Sequence, residues 1–165
     1  NEPMTTDLML RRKWTLKAHG QQVVFVKNSN EKFSHVLMKA LIWAIHLPDY
    51  PELSVEIKIG DRYKPDVVAL DQNQQPIFWG EAGQVSGRKL HSLFKRYPQT
   101  HFAIGKWNQR IDPHREIVLK AMKGVKRTAP CDLFTFPQDS ARFVDEWGQV
   151  EIERTDLLWT RIEPE

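Results

Sequence analysis

The sequence predicts an α/β (α+β) protein: a mixed central β-sheet flanked by helices, with an N-terminal β-hairpin and extra C-terminal strands. Three observations predict it. Apolar, strand-like runs alternate with helix-like segments from residue 65 onward. Residues Phe33, Leu37, Ala40, Leu41 and Ala44 recur at three- and four-residue spacing, the period of an amphipathic helix. Two apolar runs, 65–70 and 77–82, flank the polar segment DQNQQP, which reads as a hairpin turn.

Taken in order, residues 8–18 and 23–27 form a strand pair around a turn at HGQQ (19–22). Asn28, Ser29 and Asn30 offer side-chain oxygens to cap the first long helix. LPDYPEL (47–53) ends that helix, because proline cannot continue it. SVEIKIG (54–60) alternates as a strand does, and DRYK (61–64) turns. After the 65–82 hairpin, Gly83 to Gly87 is a loop and Arg88 to Arg96 a helix with Leu90, Leu93 and Phe94 on one face. THFAIGKW (100–107) reads as a strand, and residues 112–124 as a helix capped by Asp112 with Pro113 at its first position. CDLFTF (131–136) is a strand, DSARFVDEW (139–147) a short helix, and 149–154 and 156–162 two last strands.

The length of 165 residues fits a single domain over 1–165, large enough to bury a full core. No run approaches the roughly 20 apolar residues of a membrane span. Residues Asn1 to Asp7 lack the basic start and apolar centre of a secretory signal. One cysteine, Cys131, excludes an internal disulfide and a zinc-type Cys/His cluster, and fits a reducing, cytoplasmic setting. Inside an apolar strand, it reads as a buried, inert thiol. A net charge of +3 permits DNA or RNA as a partner without demanding one. GxSxG, P-loop and HExxH patterns are absent, which removes the commonest serine hydrolase, nucleotide-binding and zinc-protease readings.

The chemistry concentrates between Lys64 and Leu93. If 65–70 pairs antiparallel with 77–82, Val68 faces Phe78 or Trp79, and Asp66 and Glu81 meet at one end of the hairpin. Two carboxylates so placed can hold a hard cation such as Mg²⁺, which takes oxygen ligands and leaves positions for water and phosphate. Arg88 and Lys89 open the next helix, followed by His91, Lys95 and Arg96. That helix offers either a phosphate-contacting face or a solvated one. Gln84 is either a water- or phosphate-binding amide or a solvent-facing loop residue. Glu31, in the first turn of the first helix, reads on its own as an acid favoured by the helix dipole. His35, one turn on, reads as a boundary histidine.

Pro65-Asp66, then a hairpin ending in Glu81, then a basic helix, resembles the PD-(D/E)xK nuclease superfamily with its restriction-endonuclease-like core. More narrowly, the chain is similar to the YaeQ family. The match runs through the starting hairpin, the helix with Trp43, the strand ending Glu81-Ala82-Gly83, and Arg88-Lys89. The resemblance implies a Mg²⁺ (or Mn²⁺) site formed by Asp66, Glu81 and the Ala82 carbonyl, with Glu31 as a further ligand. It implies cleavage of DNA or RNA phosphodiesters, with Asp66, Glu81, Lys89, Arg88 and Gln84 in catalytic roles. Arg88, Lys89, Lys95 and Arg96 would contact nucleic acid. The superfamily carries lysine two residues after its second acid, and this chain has Gly83 there. Lys89 or Arg88 would then supply the cation, lysine suiting the attacking water and arginine the phosphate. The alternative is a scaffold without turnover that binds nucleic acid or protein.

Overall fold

A computed structural model describes residues 9–165. The hairpin consists of β1 (Lys13–Ala18) and β2 (Gln21–Val26). Its turn is two residues, His19 and Gly20, both with positive φ (50° and 76°), as the tightest hairpins require. β1 is shorter than expected: Met9 and Leu10 are helical, and residue 8 lies outside the described residues. Trp14, Leu16, Ala18 and Phe25 turn inward and are fully buried.

Helix α1 (Phe33–His46) departs from its predicted amphipathic character, because every residue from Val36 to His46 is buried. The hairpin covers one side of it and the main sheet the other, so only its first turn meets solvent. Its N-cap is Lys32, with no side-chain cap, so Asn28, Ser29 and Asn30 do not serve as expected. Glu31 therefore precedes the helix and does not lie in its first turn. Its Oε1 accepts the Asn28 backbone N–H at 3.2 Å, closing a local turn that takes the place of the cap.

The main sheet has the order β3-β4-β5-β6-β7-β8. Its strands are β3 (Ser54–Val55), β4 (Val67–Leu70), β5 (Pro76–Ala82), β6 (His101–Trp107), β7 (Cys131–Phe136) and β8 (Leu158–Ile162). β5, β6 and β7 run parallel and the outer pairs antiparallel. Helix α2 (Gly87–Arg96) links β5 to β6, and α3 (Ile111–Met122) links β6 to β7. Strand alternation divides the core in two. Phe78, Ala82, Ala103, Phe134 and Phe136 pack with α1 and the hairpin. Trp79, Phe102, Ile104 and Leu133 pack with α2 and α3. The result is a mixed α/β protein of three layers.

Several boundaries differ from the sequence reading. The strand expected over 54–60 stops after Val55, because Glu56 takes φ 55° and Gly60 φ 84°. α3 starts at Ile111 with Arg110 as N-cap, which puts Asp112 and Pro113 inside its first turn. The helix expected over 139–147 is a single 3₁₀ turn, Ser140–Phe143. The strand expected over 149–154 makes only isolated bridges, Lys17 with Gln149 and Val144 with Val150, and a second 3₁₀ turn covers Arg154–Asp156. Gly148 and Val150 bond to Lys17 of the hairpin, so this segment does not extend the main sheet. No described helix is long and apolar enough to cross a membrane.

Candidate metal and phosphate site

The β4–β5 register pairs Val67 with Gly80 and Val68 with Trp79. The next rung sets Asp66 opposite Glu81, and the Asp66 backbone N–H donates to Gly80 O at 3.2 Å. Directly opposed residues of an antiparallel pair share a face. The two carboxylates thus meet at the C-terminal end of β5.

Each carboxylate is half committed. Asp66 Oδ2 accepts the Ala82 N–H at 2.8 Å. Glu81 Oε1 accepts Trp79 Nε1 at 2.9 Å and Lys89 Nζ at 3.2 Å. Asp66 Oδ1 and Glu81 Oε2 remain for a cation. Burial pushes both acids above their ordinary range, and the charge of Asp66 pushes Glu81 further. The Ala82 N–H and the positive charges of His35, Lys39 and Lys89 pull Asp66 back, and Lys89 does the same for Glu81. A carboxylate pair that resists ionisation here is under-compensated, which is what a cation relieves.

Gly83 follows with φ 90°, a conformation that strains any L side chain, and its N–H donates to Gly105 O at 2.9 Å. The backbone turns toward β6 at the position where a lysine was expected. Lys89 reaches the pair from α2 instead. Ser86 caps that helix, its Oγ accepting the Lys89 N–H at 3.1 Å, and the Tyr63 ring lies 4.9 Å from Lys89 Nζ. Arg88, about 100° round the helix, faces away from the carboxylates and lines a cavity that Gln84 also borders. Gln84 Oε1 accepts from Lys106 Nζ at 3.5 Å.

Glu31 sits behind Ala82 and is held by other groups. Its Oε2 lies 2.6 Å from Lys39 Nζ and 2.5 Å from His35 Nδ1. Burial works to raise the Glu31 carboxyl, but the bond and charge of Lys39, the Asn28 N–H and the His35 bond together hold the acid below its usual range. Lys39 also pairs with Glu56 at 3.0 Å. The opposite nitrogen of His35 lies 3.1 Å from the Ala82 carbonyl. Both partners of that ring are acceptors, so both bonds form together only on the imidazolium.

The four expected nucleic-acid contacts part company. Lys89 faces Glu81 and Arg88 the cavity. Lys95 borders a second cavity with His91 and Lys126, and Arg96 pairs with Asp61. The sequence reading passed over Lys39, Glu56, Trp79 and Tyr63. Lys39 had a signal, being the one charge inside an apolar helical run. Glu56 had none, since its position depends on a positive φ.

The one three-ligand grouping of His and acidic atoms among the described residues lies at the other end of the sheet. His46, His101 and Asp132 offer atoms within 4.8 Å of one another. Asp132 is already bound there by Arg161 at 2.8 Å and by His101 at 2.6 Å, and Tyr50 holds the far nitrogen of His101 at 2.9 Å. Cys131 beside it is buried and its thiol is pushed up by burial, as expected of an inert core thiol.

No protein-family model matches the chain. No curated protein matches it either. Solved structures do. The YaeQ protein from Pseudomonas syringae superposes with a TM-score of 0.58 at 16% identity, over 77% of this chain and 71% of that one. The YaeQ protein from Xanthomonas axonopodis pv. citri gives 0.57 at 11% identity, over 93% of this chain and 94% of that one. At such identities the likeness is one of fold.

Proposed function

We propose that the protein is a metal-dependent phosphodiesterase acting on DNA or RNA, with a variant PD-(D/E)xK site. The observation that carries this reading is the Asp66–Glu81 rung, with Lys89 Nζ 3.2 Å from Glu81. The donor set fits Mg²⁺ or Mn²⁺, since both free ligands are carboxylate oxygens on a rigid strand pair and both acids are under-compensated. When bound, such an ion would lower the pKa of a water and neutralise charge on the scissile phosphate.

The residues supply the rest. Asp66 and Glu81 present one free oxygen each. The Ala82 carbonyl would add a third protein ligand if His35 released it. Lys89 places a positive charge where negative charge grows on the phosphate oxygens, the role given to lysine at the position of Gly83 in the superfamily pattern. Glu31 acts behind the site, orienting His35 and Lys39.

The test joins metal binding to cleavage. Mn²⁺ titration followed by electron paramagnetic resonance should show one bound ion, lost in Asp66→Asn and Glu81→Gln. Cleavage of labelled DNA or RNA should disappear in the same variants. Wild-type protein that binds Mn²⁺ at neither carboxylate would end the reading.

One observation favours a second reading, a binding module without turnover. Gly83, at φ 90°, leaves the lysine position without a side chain. Metal binding with no cleavage of any substrate would select it.

A further inference from the structure

The groove between α2 and α3 is lined on one rim by Arg88, His91 and Lys95 and on the other by Lys120 and Lys126. It consists of two adjoining cavities, of about 830 Å³ and 300 Å³, which share His91. Neither cavity has an acidic residue in its lining. All five basic side chains are exposed. Arg88 and Lys95 stand two helical turns apart, about 10 Å along the axis. The floor of the larger cavity is apolar, formed by Val85, Ala121 and Ile117, and Ile117 is 43% exposed. A Cβ at Gly87 would lie 3.8 Å from Ile117, so glycine keeps that slot open.

A buried positive charge lies under the same end. Lys106 is 5% exposed, and its one polar partner among the described residues is Gln84, at the cavity margin. Burial lowers the Lys106 amine, and no carboxylate among the described residues pairs with it. Beside it His114 is 4% exposed, with neither ring nitrogen hydrogen-bonded. An anionic group seated at Gln84 would supply the missing counter-charge.

We propose that the α2–α3 groove is the track of a single nucleic-acid strand, with phosphates on Arg88, Lys95, Lys120 and Lys126 and one base in the slot over Ile117. Its placement rests on the phosphodiesterase reading, because Gln84 joins the groove to the carboxylate pair two residues beyond Ala82. Cationic rims around an apolar slot match a phosphate chain carrying aromatic bases. A duplex keeps its bases stacked and cannot fill that slot.

Fluorescence anisotropy with a labelled oligothymidine or oligouridine of about 15 nucleotides tests it, in EDTA so that no cleavage can occur. Wild type should bind one of the two, with affinity falling steeply with salt. Arg88→Glu and Lys120→Glu should each weaken binding about tenfold and flatten the salt slope. Ile117→Ser should weaken it about tenfold with the slope unchanged. Unaltered affinity in both charge reversals would overturn the track, as would wild type that binds neither oligonucleotide. Equal affinity for a duplex, with Ile117→Ser unaffected, would overturn the slot. None of these results bears on Mn²⁺ binding at Asp66 and Glu81, so the two ideas fail separately.

Discussion

Lys89 Nζ stands 3.2 Å from Glu81 Oε1, although the two residues belong to different elements and are separated by the Gly83 turn. Removing the amine should raise the Glu81 carboxyl further, since Lys89 is the first group that opposes its burial. Lys89→Met should cut the cleavage rate by about 100-fold or more, and Lys89→Arg should recover part of it. Single-turnover kinetics on saturating substrate reads this directly. An undiminished rate in Lys89→Met would remove Lys89 from the chemistry.

The carboxylate pair should weaken the fold where it is ionised. Asp66 and Glu81 have folded-state pKa values above their unfolded ones, so between the two the native state holds more protons. Stability then falls as pH rises through the folded values. Asp66→Asn keeps an oxygen for the Ala82 N–H and loses the charge. It should melt above wild type at pH 8, with the gap closing near pH 4. Added Mn²⁺ should raise the melting temperature of wild type and leave the variant unmoved. Scanning calorimetry across pH measures both effects.

Arg161 guards the far end of the sheet. Asp132 is fully buried, and bonds to His101 and Arg161 overcome its burial to hold its carboxyl well below the usual range. That contribution to stability is present above the unfolded pKa and lost as pH falls through the folded one. Among the described residues, Arg161→Ala leaves His101 as the only side-chain partner of a buried charge. It should cost about 3 kcal/mol in urea unfolding at pH 7, with a smaller loss at pH 3.

His46 should set the acid limit of the core. It is fully buried with one nitrogen unpartnered, and burial pushes its pKa down to about 3. The unfolded chain binds a proton near the ordinary 6.5, so stability is lost progressively as pH drops from there toward 3. His46→Phe keeps a ring against Phe78, whose ring lies tilted with its centroid 4.4 Å away in the native chain, and removes the titration. Its urea midpoint should fall less than that of wild type between pH 7 and 5. Parallel midpoints would mean that another group governs acid unfolding.

Gly148 locks the C-terminal segment to the hairpin. Its carbonyl accepts the Lys17 N–H at 2.8 Å, its φ is 84°, and a Cβ there would lie 2.3 Å from Thr15 O. Gly148→Ala should cost at least about 1 kcal/mol. Equilibrium unfolding checks it, and a neutral result would show that the segment can swing clear of β1.

Local pattern carried the order of elements and the site's central rung. Val68 does face Trp79, because a polar turn between two apolar runs fixes a hairpin register within narrow limits. Patterns failed where tertiary contacts decide. Asn28 to Asn30 look like caps, yet Glu31 closes the turn first. QVEIER alternates like a strand, but its partners are Lys17 and Val144, so it never joins the main sheet. Arg88 and Lys89 are neighbours in sequence, and helix geometry sends them to opposite tasks. Glu56 enters the site through a left-handed residue that no periodicity marks.

Helix α1 touches both ends of the sheet, with Lys39 near the carboxylate pair and His46 beside His101. Inserting or deleting a single residue within it would rotate everything beyond that point by about 100°. One end or the other would lose its register, and there is no exposed face on which to absorb the change. The length of this segment is therefore fixed from two directions at once. The polar turn over 71–75, whose residues are exposed, carries no such constraint. Relatives that diverge in size should differ there and keep α1 to the residue.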